Sequence, residues 1–119
     1  MSYQQRLQEI RQRFLTGIPD RLSAIEALME DAVKATPPAR EDAVATELHR
    51  RCHDLAGSSS MLGAKELGRA AHELMNASRA ASIAGRPLAA HEAEAFAAGM
   101  VKLRAAAAIL RASARADAS

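Results

Sequence analysis

The chain has 119 residues, of which 49% are hydrophobic but only 3% aromatic, and its formal net charge is +2 at neutral pH. This length suffices for one hydrophobic core and is too short for two, so we expect a single all-α domain over residues 1–119 whose core is built mainly from good helix formers. The arginines are spread along the chain, whereas nucleic-acid binding usually shows as a concentrated basic stripe, so we expect no nucleic-acid partner.

The N-terminal part of the chain predicts two helical segments with a bend between them. A first apolar stripe, with steps of three and four residues, predicts a short helix. Its members are Tyr3, Leu7, Ile10 and Phe14. Gly17 and Pro19 follow, and because proline removes an amide donor but suits a first helical turn, we expect the chain to bend there and begin a second helix. The apolar residues of that helix are Leu22, Ile25, Leu28, Met29 and Val33.

A linker turn and a longer helix come next. Thr36-Pro37-Pro38 predicts the turn, since consecutive prolines exclude helix. The helix is expected from about Arg40 to Leu62, with one face formed at steps of three and four residues. That face consists of Val44, Leu48, Cys52, Leu55, Ser59 and Leu62. We expect it to lie in the core, and Gly63 to end the helix in a left-handed conformation.

Two more helices complete the chain. The first is expected from about Ala64, with inward residues Leu67, Ala71, Leu74, Ser78 and Ala81. Gly85-Arg86-Pro87 predicts a turn with proline at a helix start. The inward residues of the last helix are Leu88, Phe96, Met100, Leu103, Ala107 and Leu110, and we expect residues 113–119 to form a frayed tail. Short connections favour antiparallel neighbours, so we expect an antiparallel up-down four-helix bundle with a short additional N-terminal helix.

His53 is the candidate functional residue of the long helix. At about 100° per residue it follows Cys52 round the helix, to the edge of the core face, where it can reach solvent. The residues that share its face are His49, Ala56, Gly57 and Ser60. Gly57 needs an explanation, because glycine inside a helix costs about 1 kcal/mol relative to alanine. It either clears a path for another protein to His53 or lets a helix of the same bundle pack tightly, and the residue pattern favours neither.

The segment from His53 to Ala64 resembles the signature of histidine-containing phosphotransfer (HPt) domains. That signature is a histidine, an apolar residue two places on, a basic residue three on, a glycine four on followed by small residues, and a second glycine ten on. The chain matches every place except the third, where Ala56 stands. The order of the predicted helices also resembles the family's over nearly the whole chain. The resemblance implies that the outer ring nitrogen of His53 accepts a phosphoryl group.

Ala56 is the one departure from this pattern, because most relatives have a lysine there whose ammonium lies near the phosphoryl group. Positive charge could come instead from Arg50 or Arg51, or from a polar stripe on the next helix. That stripe is Arg69, His72, Asn76 and Arg79. Arg79 stands where some free-standing HPt proteins have a basic residue, and Met75 where chemotaxis-kinase domains have glutamate. This favours a relay intermediate over a kinase domain.

The resemblance implies a phosphocarrier that is not itself an enzyme. It would relay a phosphoryl group between response-regulator receiver domains, or from a sensor histidine kinase to a receiver. A histidine titrates near neutral pH, so a neutral, nucleophilic imidazole needs no activating triad when the donor is a reactive aspartyl phosphate. We therefore expect no cofactor on this chain, and magnesium on the partner receiver. The alternative, which Ala56 leaves open, is a helical adaptor that binds receivers or other signalling partners without accepting phosphate.

The sequence contains three other patterns that could suggest a site. His49 and His53 have a spacing that can bind a metal, but no third ligand is obvious, so we expect no metal site. Gly57 and Gly63 fail the phosphate-loop pattern because Lys65 does not follow directly. Cys52, on the core face, is expected to be a buried, inert thiol.

The expected compartment is the cytoplasm. The single cysteine cannot form an internal disulfide, and the first thirty residues contain no apolar secretion signal. The longest uncharged stretch, Leu55 to Ala64, is far shorter than the roughly 20 residues that cross a bilayer. We expect no membrane association, and a monomer.

Overall fold

The computed structural model describes residues 2–33 and 41–118. It shows four α-helices, and within those two ranges it has no β-strand. The helices are α1 (Tyr3–Val33), α2 (Glu41–Met61), α3 (Lys65–Ala84) and α4 (Ala90–Ala118). Each helix packs against its neighbour in the chain, and α4 closes the ring against α1. The predicted all-α class and four-helix bundle are confirmed, while the predicted turn at Thr36-Pro37-Pro38 lies outside the described residues.

Helix α1 is continuous where the sequence predicts a bend. Gly17 and Pro19 both lie inside it, so the expected separate N-terminal helix is instead the first half of α1. Pro19 removes one backbone hydrogen bond, to the carbonyl four residues earlier, but its fixed φ is compatible with a helix. Ile18 and Leu22, on either side of it, are buried in the bundle. Their packing offsets the lost hydrogen bond, and the prediction of a break was wrong because it weighed local preference alone.

The apolar stripe of the first half of α1 is only partly covered. Tyr3 is 80% exposed and Ile10 51% exposed, whereas Leu7 and Phe14 are half-buried. The Arg21 guanidinium lies 5.8 Å from the centre of the Phe14 ring, which is within the range of a cation–π contact. The core contacts of α1 therefore come mainly from its second half.

The core is formed by the faces that the sequence predicts on α2, α3 and α4. Its fully buried side chains include Leu48, Leu55, Leu67, Leu74, Phe96 and Leu103. Each such side chain contributes about 1.5–3 kcal/mol to the stability of the fold. Gly99 lets α4 approach α3 closely, because a Cβ atom there would lie 2.6 Å from Leu74 Cδ2. Cys52 is buried as expected, and its burial raises the pKa of the thiol to about 12.

Left-handed glycines end α2 and α3. Gly63 has a φ of 76° and Gly85 a φ of 62°, values that glycine adopts without strain. After Gly85 the chain is held by Glu92, whose carboxylate accepts hydrogen bonds from Arg86 Nη1 (2.6 Å), Arg86 Nη2 (3.1 Å) and the Ala89 amide (2.7 Å). These bonds lower the pKa of Glu92 to about 2, since they stabilise its charged form. The turn between α3 and α4 is therefore closed by an ion pair.

The residues after Arg111, which we expected to fray, continue α4 as far as Ala118. This segment is rich in alanine, the residue with the highest helix propensity, which accounts for the longer helix. No helix within the described ranges combines the length and the hydrophobicity that a bilayer-spanning segment needs. The domain limits of residues 1–119 stay a prediction.

Candidate functional site

His53 projects from α2 into solvent. Its side chain is 68% exposed, whereas its neighbour Cys52 is completely buried, so the imidazole stands at the edge of the core face as the helical pattern predicts. Its Nδ1 lies 3.9 Å from Asp54 Oδ1, which is too long for a hydrogen bond. The ring is therefore open to approach from solvent.

Gly57 lies one turn after His53 on the same exposed face. A Cβ atom built at Gly57 would have no atom within 4 Å, apart from its own helix. Glycine is therefore not required here for tight packing inside the bundle, and that alternative is wrong. A side chain at Gly57 would project only into open space, so the glycine leaves the helix surface beside His53 without a side chain. This favours the interpretation that Gly57 clears a path for another protein to His53.

The close approach of α2 and α3 occurs instead at Gly68, which the sequence analysis did not single out. A Cβ atom there would lie 3.4 Å from Ser59 Cβ and 3.7 Å from the Ala56 carbonyl oxygen. The sequence signal for this close approach was a glycine inside a predicted helix. Which residues of α2 it contacts could not be predicted without knowing how the helices pack. Gly68 thus sets the distance between α3 and the helix that carries His53.

A groove of about 580 Å³ runs between α2 and α3 beside the candidate site. Its lining residues are Ala56, Ser60, Gly63, Lys65, Gly68, Arg69, His72 and Glu73. Ala56 and Ser60 share the face of His53, so the groove opens directly beyond the imidazole. Of the polar stripe predicted on the next helix, Arg69 and His72 line this groove, while Asn76 and Arg79 are exposed on α3 outside it.

The register of the two antiparallel helices shows which residues face each other. The His49 ring hydrogen-bonds through Nδ1 to the Met75 carbonyl oxygen (3.1 Å), and a carbonyl can only accept, so Nδ1 carries the proton. Together with the contacts of Gly68, this places His53 opposite residues 72–75 of α3 and Ala56 opposite Arg69. His49 is half-buried and links the two helices, so its role in this structure is to fix their register.

The same interhelical register places Arg79 outside the groove, on the N-terminal side of His53. Ser82 Oγ lies 3.5 Å from Thr46 Oγ1, so this end of α3 faces the N-terminal half of α2. Because the two helices are antiparallel, Arg79 is therefore opposite the part of α2 near His49, about one turn before His53 and on the side away from the groove. A role for Arg79 beside the imidazole stays a prediction.

The basic residues next to His53 in sequence are already paired with carboxylates. Arg50 contacts Glu47 (2.5 Å) and Asp54 (3.5 Å), and Arg51 contacts the same Glu47 (3.0 Å). The hydrogen bond from Arg50 holds the pKa of Glu47 below its usual value. Positive charge on α2 is thus largely balanced within the helix.

No group of three His, Cys, Asp or Glu side chains in the described ranges is arranged to hold a metal ion. His49 and His53 share a helix face, but the Nδ1 of His49 is used by the Met75 carbonyl. Ser59 and Ser78 are buried; the Ser78 hydroxyl donates to carbonyl oxygens of α3, whereas the Ser59 hydroxyl has no hydrogen-bond partner in the described ranges. His53 is therefore the candidate nucleophile of this region.

Comparison with known proteins identifies the family of the chain. No curated protein and no solved structure matches the chain. A protein-family model described as Hpt domain matches residues 9–113, a range that includes all of α2 and α3. Hpt domains are phosphocarriers of two-component phosphorelays, and they interact with receiver domains and kinases. The match covers nearly the whole chain, and the chain belongs to the Hpt domain family.

Proposed function

We propose that this chain is a phosphorelay intermediate, in which His53 accepts a phosphoryl group from one signalling protein and passes it to another. Donors of the expected chemistry are phosphorylated receiver domains or a sensor histidine kinase, and the final acceptor is a receiver aspartate. The observation that carries the proposal is the 68% exposed imidazole, which stands on a helix face cleared of side chains at Gly57. A second protein can reach such a nitrogen without any rearrangement of the bundle.

For the transfer, this chain mainly has to hold the His53 imidazole within reach of the partner's phosphoryl group. The lone pair of His53 Nε2 attacks the phosphorus of the partner's aspartyl phosphate, and the partner's carboxylate leaves with the electron pair of the broken P–O bond. The N–P bond forms on an imidazole that keeps its Nδ1 proton, and the carboxylate of Asp54 stabilises the positive charge of that ring. Attack by the aspartate of the next receiver on the same phosphorus releases the neutral ring. Magnesium, in this proposal, belongs to the receiver.

A helical adaptor that binds receivers without accepting phosphate is the second candidate. The observation that favours it is Ala56, which puts a methyl group where a charged side chain would otherwise face the groove. An adaptor and a carrier share the same docking surface, so binding alone does not separate them. Covalent labelling does.

The test is transfer from phosphorylated receiver domains of the same cell, with binding measured in parallel. We expect the wild-type protein to acquire an acid-labile, base-stable phosphoryl group, and His53→Gln to acquire none while it still binds the receivers. His91→Gln is the matched control, because His91 is also exposed but lies on α4. Normal binding with no label on the wild type, across the panel of receivers, would favour the adaptor and overturn the carrier.

A further inference from the structure

On α3 the groove next to His53 is lined by Lys65, Arg69, His72 and Glu73, opposite the place where α2 has only Ala56. The Glu73 carboxylate is paired with Lys102 of α4 (3.3 Å). We propose that Arg69 supplies the positive charge that holds the transferring phosphoryl group in this chain. The inference deepens the proposed function and rests on it. In this arrangement the phosphoryl group enters between the two helices, with His53 on one side and the guanidinium on the other.

A transferring phosphoryl group needs a cation near its non-bridging oxygens, because negative charge is spread over them throughout the step. The partner's own ion can neutralise one side of the group. The side that faces this chain must be matched by a residue that reaches the space just beyond His53. The position and existing contacts of each basic residue decide which one can do so.

Three of the basic residues near His53 are poorly placed. Arg50 contacts two carboxylates, those of Glu47 and Asp54, and it does not line the groove. Arg79 faces α2 near His49, about one turn from His53, but it lies outside the groove. Lys65 lines the groove, but at its far end, near Ser60, which is about two turns from His53.

Arg69 is the cation in the right register. It lines the groove opposite Ala56, which is three residues, or about 4.5 Å along the helix axis, from His53. The short side chain of Ala56 leaves that space open, so a long side chain from α3 can extend across it. His72 is also opposite His53, but an imidazole carries charge only when protonated, whereas a guanidinium is always charged.

The present partner of Arg69 does not prevent this role. Its Nη1 contacts Glu66 Oε1 at 3.0 Å, with both side chains about three-quarters exposed (74% and 76%). Ion pairs this exposed are weak, so the guanidinium can exchange the carboxylate for a docked phosphoryl group. Its planar set of N–H donors also matches two phosphoryl oxygens at once, which a single ammonium does not.

The experiment measures the rate of transfer from a saturating phosphorylated receiver to the wild type and to variants at the groove. Arg69→Ala should slow transfer at least about tenfold, with little change in receiver affinity or helical content. Adding Ala56→Lys to Arg69→Ala should restore most of the rate, because it returns a cation to the groove from the other helix. Arg111→Ala removes the same charge from α4, whose backbone does not approach that of α2 in the part of the chain that the structure describes, and should leave the rate unchanged.

The rescue separates an electrostatic role from a structural one. An unchanged rate in Arg69→Ala, or a double variant no faster than Arg69→Ala, would overturn the inference. If the wild type is labelled and His53→Gln is not, these results leave the proposed function standing and remove only the role of Arg69. A wild type that takes no label overturns the proposed function, and this inference with it.

Discussion

Two glycines near the site act in opposite ways. At Gly68 the absence of a side chain permits contact, because Ser59 Cβ lies only 3.4 Å from where a Cβ atom would be. At Gly57 it preserves empty space, since nothing within 4 Å would meet an added Cβ. Both glycines carry the conformational-entropy cost of glycine in a helix, but only at Gly68 does close packing against α2 offset that cost. The sequence shows that each glycine needs a reason, but the reason depends on the neighbouring helix, which the sequence does not place.

The Gly57 account is tested by a size series at that position. Gly57→Ala should raise the free energy of unfolding by about 0.5–1 kcal/mol, because it removes the cost of glycine without a clash. Gly57→Gln should fold equally well but block transfer, since its side chain would cover the approach to His53. Chemical denaturation and the transfer assay measure the two effects.

The control for added bulk is Ala98→Gln, an exposed position on α4. It should leave transfer at the wild-type rate. Transfer by Gly57→Gln at the same rate as by Ala98→Gln would show that the bare surface at Gly57 is not the path of the partner.

For the individual helices, the buried faces were easier to predict from the sequence than the points where a helix begins, ends or is interrupted. The core faces of α2 and α3 follow from steps of three and four residues, because periodicity alone decides which side of a helix is apolar. The break at Pro19 was predicted wrongly, since the burial of Ile18 and Leu22 outweighs one lost hydrogen bond. The ion pair of Arg86 with Glu92 was missed, because six residues of turn geometry bring the two together.

That ion pair makes a prediction about pH. The pKa of Glu92 falls from 4.5 to about 2 on folding, so its contribution to stability is fully present above about pH 4.5 and is lost as the pH falls towards 2. We expect Glu92→Gln to be less stable than the wild type at neutral pH, and the difference to shrink below pH 4.5. Urea unfolding of both proteins across this range measures it.

Glu94→Gln is the matched control, because Glu94 is an exposed carboxylate on the same helix. It should change stability little at any of these pH values. If the difference in the free energy of unfolding between wild type and Glu92→Gln stays constant down to pH 2, the ion pair does not stabilise the turn.

For the whole molecule, helix order and the candidate imidazole were predictable, while the surroundings of the imidazole were not. The position of His53 at the edge of the core face depends on α2 alone. Arg69 lies in the groove and Arg79 outside it because of the axial position of α3 relative to α2. The contacts of Gly68 and the His49 hydrogen bond determine that position. Interhelical register is a property of packed side chains, so no spacing within one helix reveals it.

The central claim is that His53 is the phosphoacceptor, and the most direct measurement is phosphorus–proton correlation NMR of the protein after phosphorylation by a receiver. We predict one phosphorus signal, correlated with the ring protons next to Nε2 of His53 and absent in His53→Gln. A signal that correlates with the ring of His49 or His72, or no protein-bound phosphorus while the receivers bind normally, would contradict the account.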